Sequence, residues 1–375
     1  MSIRFRIHLV TVAACVTLVA CSSPPNGETV TYFRRHLLGS SYNGAVHAVT
    51  ADLGGDGDAD ILSAAFYAGS IDWRINMGSG SFSSQHVASD FQGVRNVWPH
   101  DLDGDGDLDV VACAFQDGEV AWFENDGGGN WIEHTVSDSL AGANTVYADD
   151  LDGDGDSDLV AGSWDQSGSG TDRIVWFEND GSCHFTEHLI SDTRDRVSTL
   201  VTADIDNDGD ADILCAHYGN SLILWLENTG GDFTFRGLES GFTGVHWIWP
   251  CDIDGDEDID LAGAAMEGGI VAWFENDGTG DCTRHTVETG VTFAGYVHVA
   301  DMNGDGRADI LASAGGEGTL YWWEQTADMD WRQHEITTAL AQPLSVWGAD
   351  LDGDGDTDVV GTDFTDDILA WWENR

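Results

Sequence analysis

Asp101-Leu-Asp-Gly-Asp-Gly-Asp-Leu-Asp109 decides the fold, because this nine-residue stretch recurs seven times in phase. The copies begin at Asp52, Asp101, Asp150, Asp204, Asp252, Asp301 and Asp350, at steps of 49, 49, 54, 48, 49 and 49 residues. The stretch offers carboxylates at positions 1, 3, 5 and 9 around a glycine at position 6. Hard oxygen donors at alternate residues, with a glycine that permits a sharp turn, are the chemistry of a calcium loop. An EF-hand would need a bidentate Glu at position 12, where this chain has Ser63, Ala112, Ala161, Cys215, Gly263, Ala312 and Gly361. Position 9 is always aspartate, so the shorter loop is expected to close a hairpin. An acidic surface turn without metal is the alternative, but random acidic turns do not keep phase over seven copies.

The candidate ligands of the first four loops are Asp52, Asp56, Asp58 and Asp60; Asp101, Asp103, Asp105, Asp107 and Asp109; Asp150, Asp152, Asp154, Asp156 and Asp158; and Asp204, Asp206, Asp208, Asp210 and Asp212. The last three offer Asp252, Asp254, Asp256, Asp258 and Asp260; Asp301, Asn303, Asp305, Arg307 and Asp309; and Asp350, Asp352, Asp354, Asp356 and Asp358. Three loops depart from the pattern. Gly54 removes the position-3 carboxylate of the first, Glu257 replaces the turn glycine of the fifth, and Asn303 supplies an amide oxygen in the sixth. The first site is thereby weakened and the fifth needs a strained turn.

A period near 50 residues signals a propeller or solenoid and overrides the two-domain prior of a 375-residue chain. The net charge is −53, and all 14 basic residues are arginine. The seven loops hold 33 of the 67 acidic residues, so half the negative charge has a metal-binding explanation. Such a surface argues against charge-driven binding of nucleic acid or anionic lipid.

Residues 1–21 read as a targeting segment: Arg4 and Arg6, then an apolar run from Ile7 to Ala20. The ending Leu18-Val19-Ala20-Cys21 resembles a bacterial lipobox, which implies cleavage before Cys21 and its acylation. An ordinary secretory signal is the alternative. Residues 22–29 read as a tether, and residues 30–375 as the repeat domain. The expected location is the cell envelope, at the outer membrane or cell surface, with membrane contact only through the lipid. Cys113, Cys183, Cys215, Cys251 and Cys282 remain, with no zinc spacing. Cys113, Cys215 and Cys251 lie in apolar strand contexts and read as core.

The second repeat serves as template. Asn96–His100, Val110–Phe115, Glu119–Glu124 and Trp131–Val136 read as four short strands separated by turns. Four such strands make one propeller blade. A tryptophan column confirms the phase: Trp73, Trp122, Trp176, Trp225, Trp273, Trp322 and Trp371. The third copy is offset by an insertion around Ser167–Thr171. A histidine column, His36, His86, His134, His188, His285 and His334, is expected to hydrogen-bond from blade to blade, and the fifth copy lacks it, with Leu238 nearby. The last copy stops after its third strand, while Val30–Leu37 matches a fourth. The N-terminal strand is therefore expected to complete the last blade of a closed, all-β, seven-bladed ring.

The loop pattern, the apolar strand after it and Trp-Phe-Glu-Asn-Asp-Gly together resemble the FG-GAP/VCBS repeat family over residues 30–375. That family shares its propeller with the N-terminal part of integrin α subunits. The resemblance implies up to seven calcium ions, with position 7 ligating through its backbone carbonyl. It also implies that the metal loops join first and second strands on one face of the disc. It says little about function.

Three functions stay open. The first is a calcium-stabilised, monomeric module for a glycan or protein ligand, bound on the face opposite the loops. Fourteen residues after each loop start stand Phe66, Phe115, Trp164, Tyr218, Met266, Gly315 and Phe364. These aromatic residues are the candidate ligand contacts, Trp164 foremost, unless they pack between blades. The second is a polysaccharide lyase or hydrolase using His47, Arg95, Asn96, His246, Trp247, Tyr296 and His298 near the central mouth. No nucleophile elbow or zinc-protease motif supports it. The third is a scaffold in a surface complex.

Overall fold

The structure is a computed structural model that describes residues 33–40, 42–164, 172–193 and 196–375. The signal segment, Cys21, the tether and the insertion at Ser167–Thr171 lie outside the described residues. Twenty-eight strands form seven four-stranded antiparallel sheets. Each sheet is one blade of a ring. In blade two the strands are Val94–His100, Asp109–Ala114, Glu119–Asn125 and Trp131–Ser137, running from the axis outwards. In blade seven, Arg34–Gly39 pairs with Ile368–Glu373 as the outer strand, which closes the ring.

The burial pattern explains the sequence pattern. A second strand such as Asp109–Ala114 is buried at all six positions, because it has neighbours on both sides in its sheet and a blade against each face. It therefore reads as one apolar run rather than an alternation. Outer strands are largely exposed and polar. Buried among the strands are Cys113, Cys215 and Cys251; no disulfide forms among the described residues.

The histidine column has a different role from the one expected of it. His134 stacks on Trp122 of its own blade, ring centroids 4.5 Å apart, and its Nε2 lies 2.8 Å from Glu124 Oε2. His36, His188, His285 and His334 repeat this with Glu373, Glu178, Glu275 and Glu324. The bond joins third and fourth strands within a blade, because strand pairing sets His134 directly across from Trp122. His86 is one residue out of phase. Gln85 faces Trp73, and His86 pairs with Asp72 instead. In blade four Arg236 faces Trp225 and binds Glu227, so Arg236 rather than Leu238 fills the place.

The blade-to-blade bond belongs to the asparagine that follows the third strand's glutamate. Asn228 Nδ2 donates to Ala211 O of its own loop at 2.9 Å and to Leu151 O of the preceding loop at 2.7 Å. Asn125, Asn276, Gln325 and Asn374 make the same reach to Leu53, Ile205, Ile253 and Met302. Asn76 reaches Leu351 and carries the chain of links across the closure. Each acceptor is the position-2 carbonyl of the loop before, so neighbouring loops are tied to one another.

Candidate functional site

The aspartate loops all join first to second strands and sit together on one face. Backbone amides organise each one. In the second loop, Gly106 N donates to Asp101 Oδ2 and Asp105 N to Asp103 Oδ1. The position-9 carboxylate is wholly buried and accepts from two amides, Leu102 N at 3.0 Å and Asn125 N at 2.8 Å. Burial pushes the pKa of Asp109 up to about 7 against the pull of these two bonds. Asp158, Asp212, Asp260 and Asp358 are likewise pushed to about 7 and Asp309 to about 8, by the same burial. A cation is the physical remedy for a carboxylate held in that position.

Five loops bring the carboxylates of positions 1, 3 and 9 within 4.8 Å of one another: Asp101, Asp103 and Asp109, and the matching triads beginning at Asp150, Asp204, Asp252 and Asp350. The residues fit a metal ion. Asp101 Oδ1 and Asp206 Oδ1 are buried without a hydrogen-bond partner, and every donor is a hard oxygen. Positions 5, from Asp56 to Asp354, stand outside these triads, and each carboxylate accepts the position-7 amide, as Asp105 does from Asp107. Position 7 turns its side chain towards the glycine turn after the third strand. The Asp107 and Asp156 carboxylates lie against Gly127 and Gly181, and Arg307 Nε donates to Gln325 O. That orientation leaves the position-7 carbonyl as its means of reaching an ion.

The first loop keeps the shared fold despite Gly54, with Gly54 N bonded to Asp60 Oδ2, but lacks a third carboxylate. The fifth keeps its triad, and Glu257 takes the left-handed conformation of the glycine it replaces, at φ 77°. In the sixth, Asn303 Oδ1 accepts the Asp305 amide as the aspartates do elsewhere.

The opposite face is built by a feature that the sequence reading missed. Every inner strand carries a register shift near its start, at Val46, Arg95, Asn144, Ser198 and His246 and around Gly295 and Leu344. A bulge re-aims a side chain. Together with Trp164, Tyr218, Tyr296 and Phe364, residues of this ring line a cavity of about 320 Å³ at the channel mouth. Hydrogen bonds run from bulge to bulge. Arg95 Nε donates to Asn144 Oδ1 at 3.2 Å, and Asn144 Nδ2 to Ser198 O at 3.0 Å. Ser198 Oγ donates to Val245 O, and His246 Nδ1 to Gly295 O at 2.9 Å. Below them Trp98, Trp249 and Trp347 meet on the axis, with centroids 4.8 to 5.6 Å apart, and fill the channel.

The candidate contacts therefore divide. Trp164, Tyr218 and Phe364 line the cavity, with Trp164 half-buried against Tyr218 at 5.1 Å. Phe66 and Phe115 do not line it. They pack 6.4 Å apart, and the Arg95 guanidinium lies 5.5 and 5.6 Å from their ring centres. Arg95, Asn96, His246, Trp247 and Tyr296 line the cavity, whereas His47 and His298 are buried away from it. Burial holds the pKa of both these histidines down to about 3 and that of His246 to about 4, so all three are neutral at pH 7. A spacing of about one repeat between contributors gave no local motif to find; the bulges leave no residue signature at all.

No curated protein matches the chain in sequence. Among solved structures, an Agrocybe aegerita lectin described for specific recognition of non-reducing terminal N-acetylglucosamine is similar, with TM-score 0.57 and 19% identity over 78% of this chain and 80% of that one. BBS1N in complex with ARL6DN is similar in two crystals. The one soaked with lead has TM-score 0.58 and 12% identity, and the one soaked with mercury 0.59 and 11%, each over 90% of this chain and 95% of that chain. At such identities the likeness is one of fold. The FG-GAP-like repeat matches at residues 52–112, 101–161, 150–215, 204–263, 252–312 and 301–361, and with six overlapping matches over most of its length the chain belongs to that family.

Proposed function

We propose that the chain is a calcium-stabilised binding module, lipid-anchored through Cys21 at a bacterial cell surface, that takes a glycan or protein ligand into its channel mouth. The cavity ringed by seven bulges carries this reading. It is concave, part aromatic and part polar, and closed below by indoles, which is the usual make-up of a ligand site. Calcium is the cation because the donors are all oxygen and the carboxylates are numerous, whereas magnesium prefers to keep its waters. The lectin of similar fold recognises a sugar, which is in keeping with a glycan ligand. The net charge of −53 disfavours nucleic acid, and a closed ring suits a monomer.

A screen of glycans and polysaccharides against the calcium-loaded protein, with product detection, tests the reading. Binding that is weakened by Trp164→Ala without loss of metal supports it. Binding that maps to the aspartate loops, or none to any glycan or protein ligand, defeats it. Product formation would favour a lyase or hydrolase, for which Arg95, His246 and Tyr296 share the mouth.

A further inference from the structure

Arg95 and Asn96 are neighbours at the bulge of blade two, and both line the cavity. Both hold donors that the protein leaves without an acceptor. Asn96 is 2% exposed; its Oδ1 accepts from Val146 N, but its Nδ2 is buried with no partner. Arg95 spends only Nε, on Asn144, which leaves the outer edge of the guanidinium unbonded. No carboxylate pairs with it among the described residues, although Arg34, Arg236, Arg284, Arg307, Arg332 and Arg375 all have one. Arg74 and Arg173 are also half-buried without an acid partner among the described residues, and Arg74 donates to the Tyr42 hydroxyl; Arg95 is set apart by lining the cavity with the outer edge of its guanidinium unbonded. Burial lowers its proton affinity, yet a guanidinium stays charged in proteins. The Phe66 and Phe115 rings hold that charge in place without neutralising it.

The missing partner is an anion with two acceptor oxygens, since a guanidinium edge matches a carboxylate in a two-point fork. The rest of the wall selects what carries it. His246 donates through Nδ1 to Gly295 O, so its neutral ring presents Nε2 as an acceptor suited to a hydroxyl. Trp164 and Tyr218 offer aromatic faces on the same cavity, suited to the apolar face of a sugar ring.

We propose that the channel mouth is a subsite for an acidic sugar, with the carboxylate received by Arg95, a hydroxyl by His246 and the ring by Trp164. This rests on the channel mouth being the ligand site. It also gives the cavity a preference opposed to the field of the whole molecule. A short glycan with one carboxylate at its end suits the site, and a long polyanion pays repulsion along its length.

The test uses galacturonate- and glucuronate-terminated oligosaccharides beside the same oligosaccharides with the carboxyl group reduced to an alcohol. Affinities are measured by calorimetry on the calcium-loaded protein and on Arg95→Gln, Arg95→Lys and Trp164→Ala. The acid form of at least one pair is expected to bind roughly ten- to a hundredfold tighter than its reduced partner, the worth of one charge-assisted pair. Arg95→Gln should abolish that ratio while leaving the calcium content in place. Arg95→Lys should restore part of the ratio, which a merely structural arginine would not do. Equal binding of both forms, with loss in Trp164→Ala, overturns the acidic subsite and spares the binding module. Absence of binding by every pair overturns the acidic subsite, and the wider screen then decides the module separately. Preference for a peptide carboxyl terminus over every uronide overturns the sugar assignment.

Discussion

On one face of the disc, seven loops repeat nearly the same oxygens, with Gly54 and Asn303 the departures at position 3. On the other, seven inner-strand bulges present Val46, Arg95, Asn144, Ser198, His246, Gly295 and Leu344, no two alike. The two sets come from the same repeats, a few residues apart on the same strands. The loops act locally and in parallel, each holding its own hairpin, so one good solution is kept seven times. The bulges converge on a single axis, where a ligand in the proposed site would meet them together and see each only from one side. Selectivity there needs difference.

Removing metal breaks the comparison most severely. Ions that bind only the folded form contribute about 2.7 kcal/mol per site at a hundredfold excess over the dissociation constant. Several sites add, and chelator should therefore lower the calorimetric melting temperature by more than about 10 °C for a ring of this kind. An unchanged melting curve in chelator would refute a structural role for calcium.

Single loop positions should differ in the same sense. Asp109→Ala strands two buried amides and removes a proposed metal ligand, at an expected cost of about 3 kcal/mol or more by denaturant titration. Asp107→Ala should leave the midpoint almost unmoved, because its side chain faces away from the triad. Equal costs would put position 7 among the side-chain ligands.

Asn228→Ala takes away the donor that reaches both Ala211 O and Leu151 O. A loss of about 2 kcal/mol is expected, with weaker calcium binding in the two loops that it joins. Metal titration with an unaltered profile would show the loops to be independent.

Glu257→Gly works in the other direction. The glutamate sits at φ 77° in a place where the other loops have glycine. Relief should stabilise by about 1 kcal/mol and sharpen the fifth site; destabilisation would mean that the Glu257 side chain supports the loop.

The smallest expected effect on stability is that of Trp164→Ala, on the face where the repeat ends. Its half-buried ring touches Tyr218 and lies under Arg196, so the melting temperature should move by only a few degrees while ligand affinity falls about tenfold. Unfolding of this variant would make Trp164 part of the core.

How much could be read from the sequence follows the same division. Phase over seven copies was enough for the blades, the closure by residues 34–39 and the gathering of carboxylates in the loops, because each repeats a local rule; that position 5 stands outside the triads of five loops was not legible. The histidines were visible as a column, but their partners were not. Spacing along the chain does not say that His134 lies across from Trp122, two residues from Glu124. Asn125 and its equivalents were hidden in a motif that reads as a turn, although the same side chain caps its own loop and reaches back to the previous one. At the mouth, Arg95, Asn96, His246 and Tyr296 were legible as polar residues on inner strands. What joins them is an extra residue in each strand, and an inserted residue in a variable strand has no composition of its own.

The closing strand also sets the side from which the chain enters the disc. Arg34 pairs with Glu373, beside Asn374, whose amide holds Asp358; Gly39 pairs with Leu369, towards the other side. The chain thus enters the disc at its rim, from the aspartate side, and runs away from that entry. Under the anchoring proposed at Cys21, the aspartate side would be the one towards the support, and the mouth with Arg95 and Trp164 the one away from it.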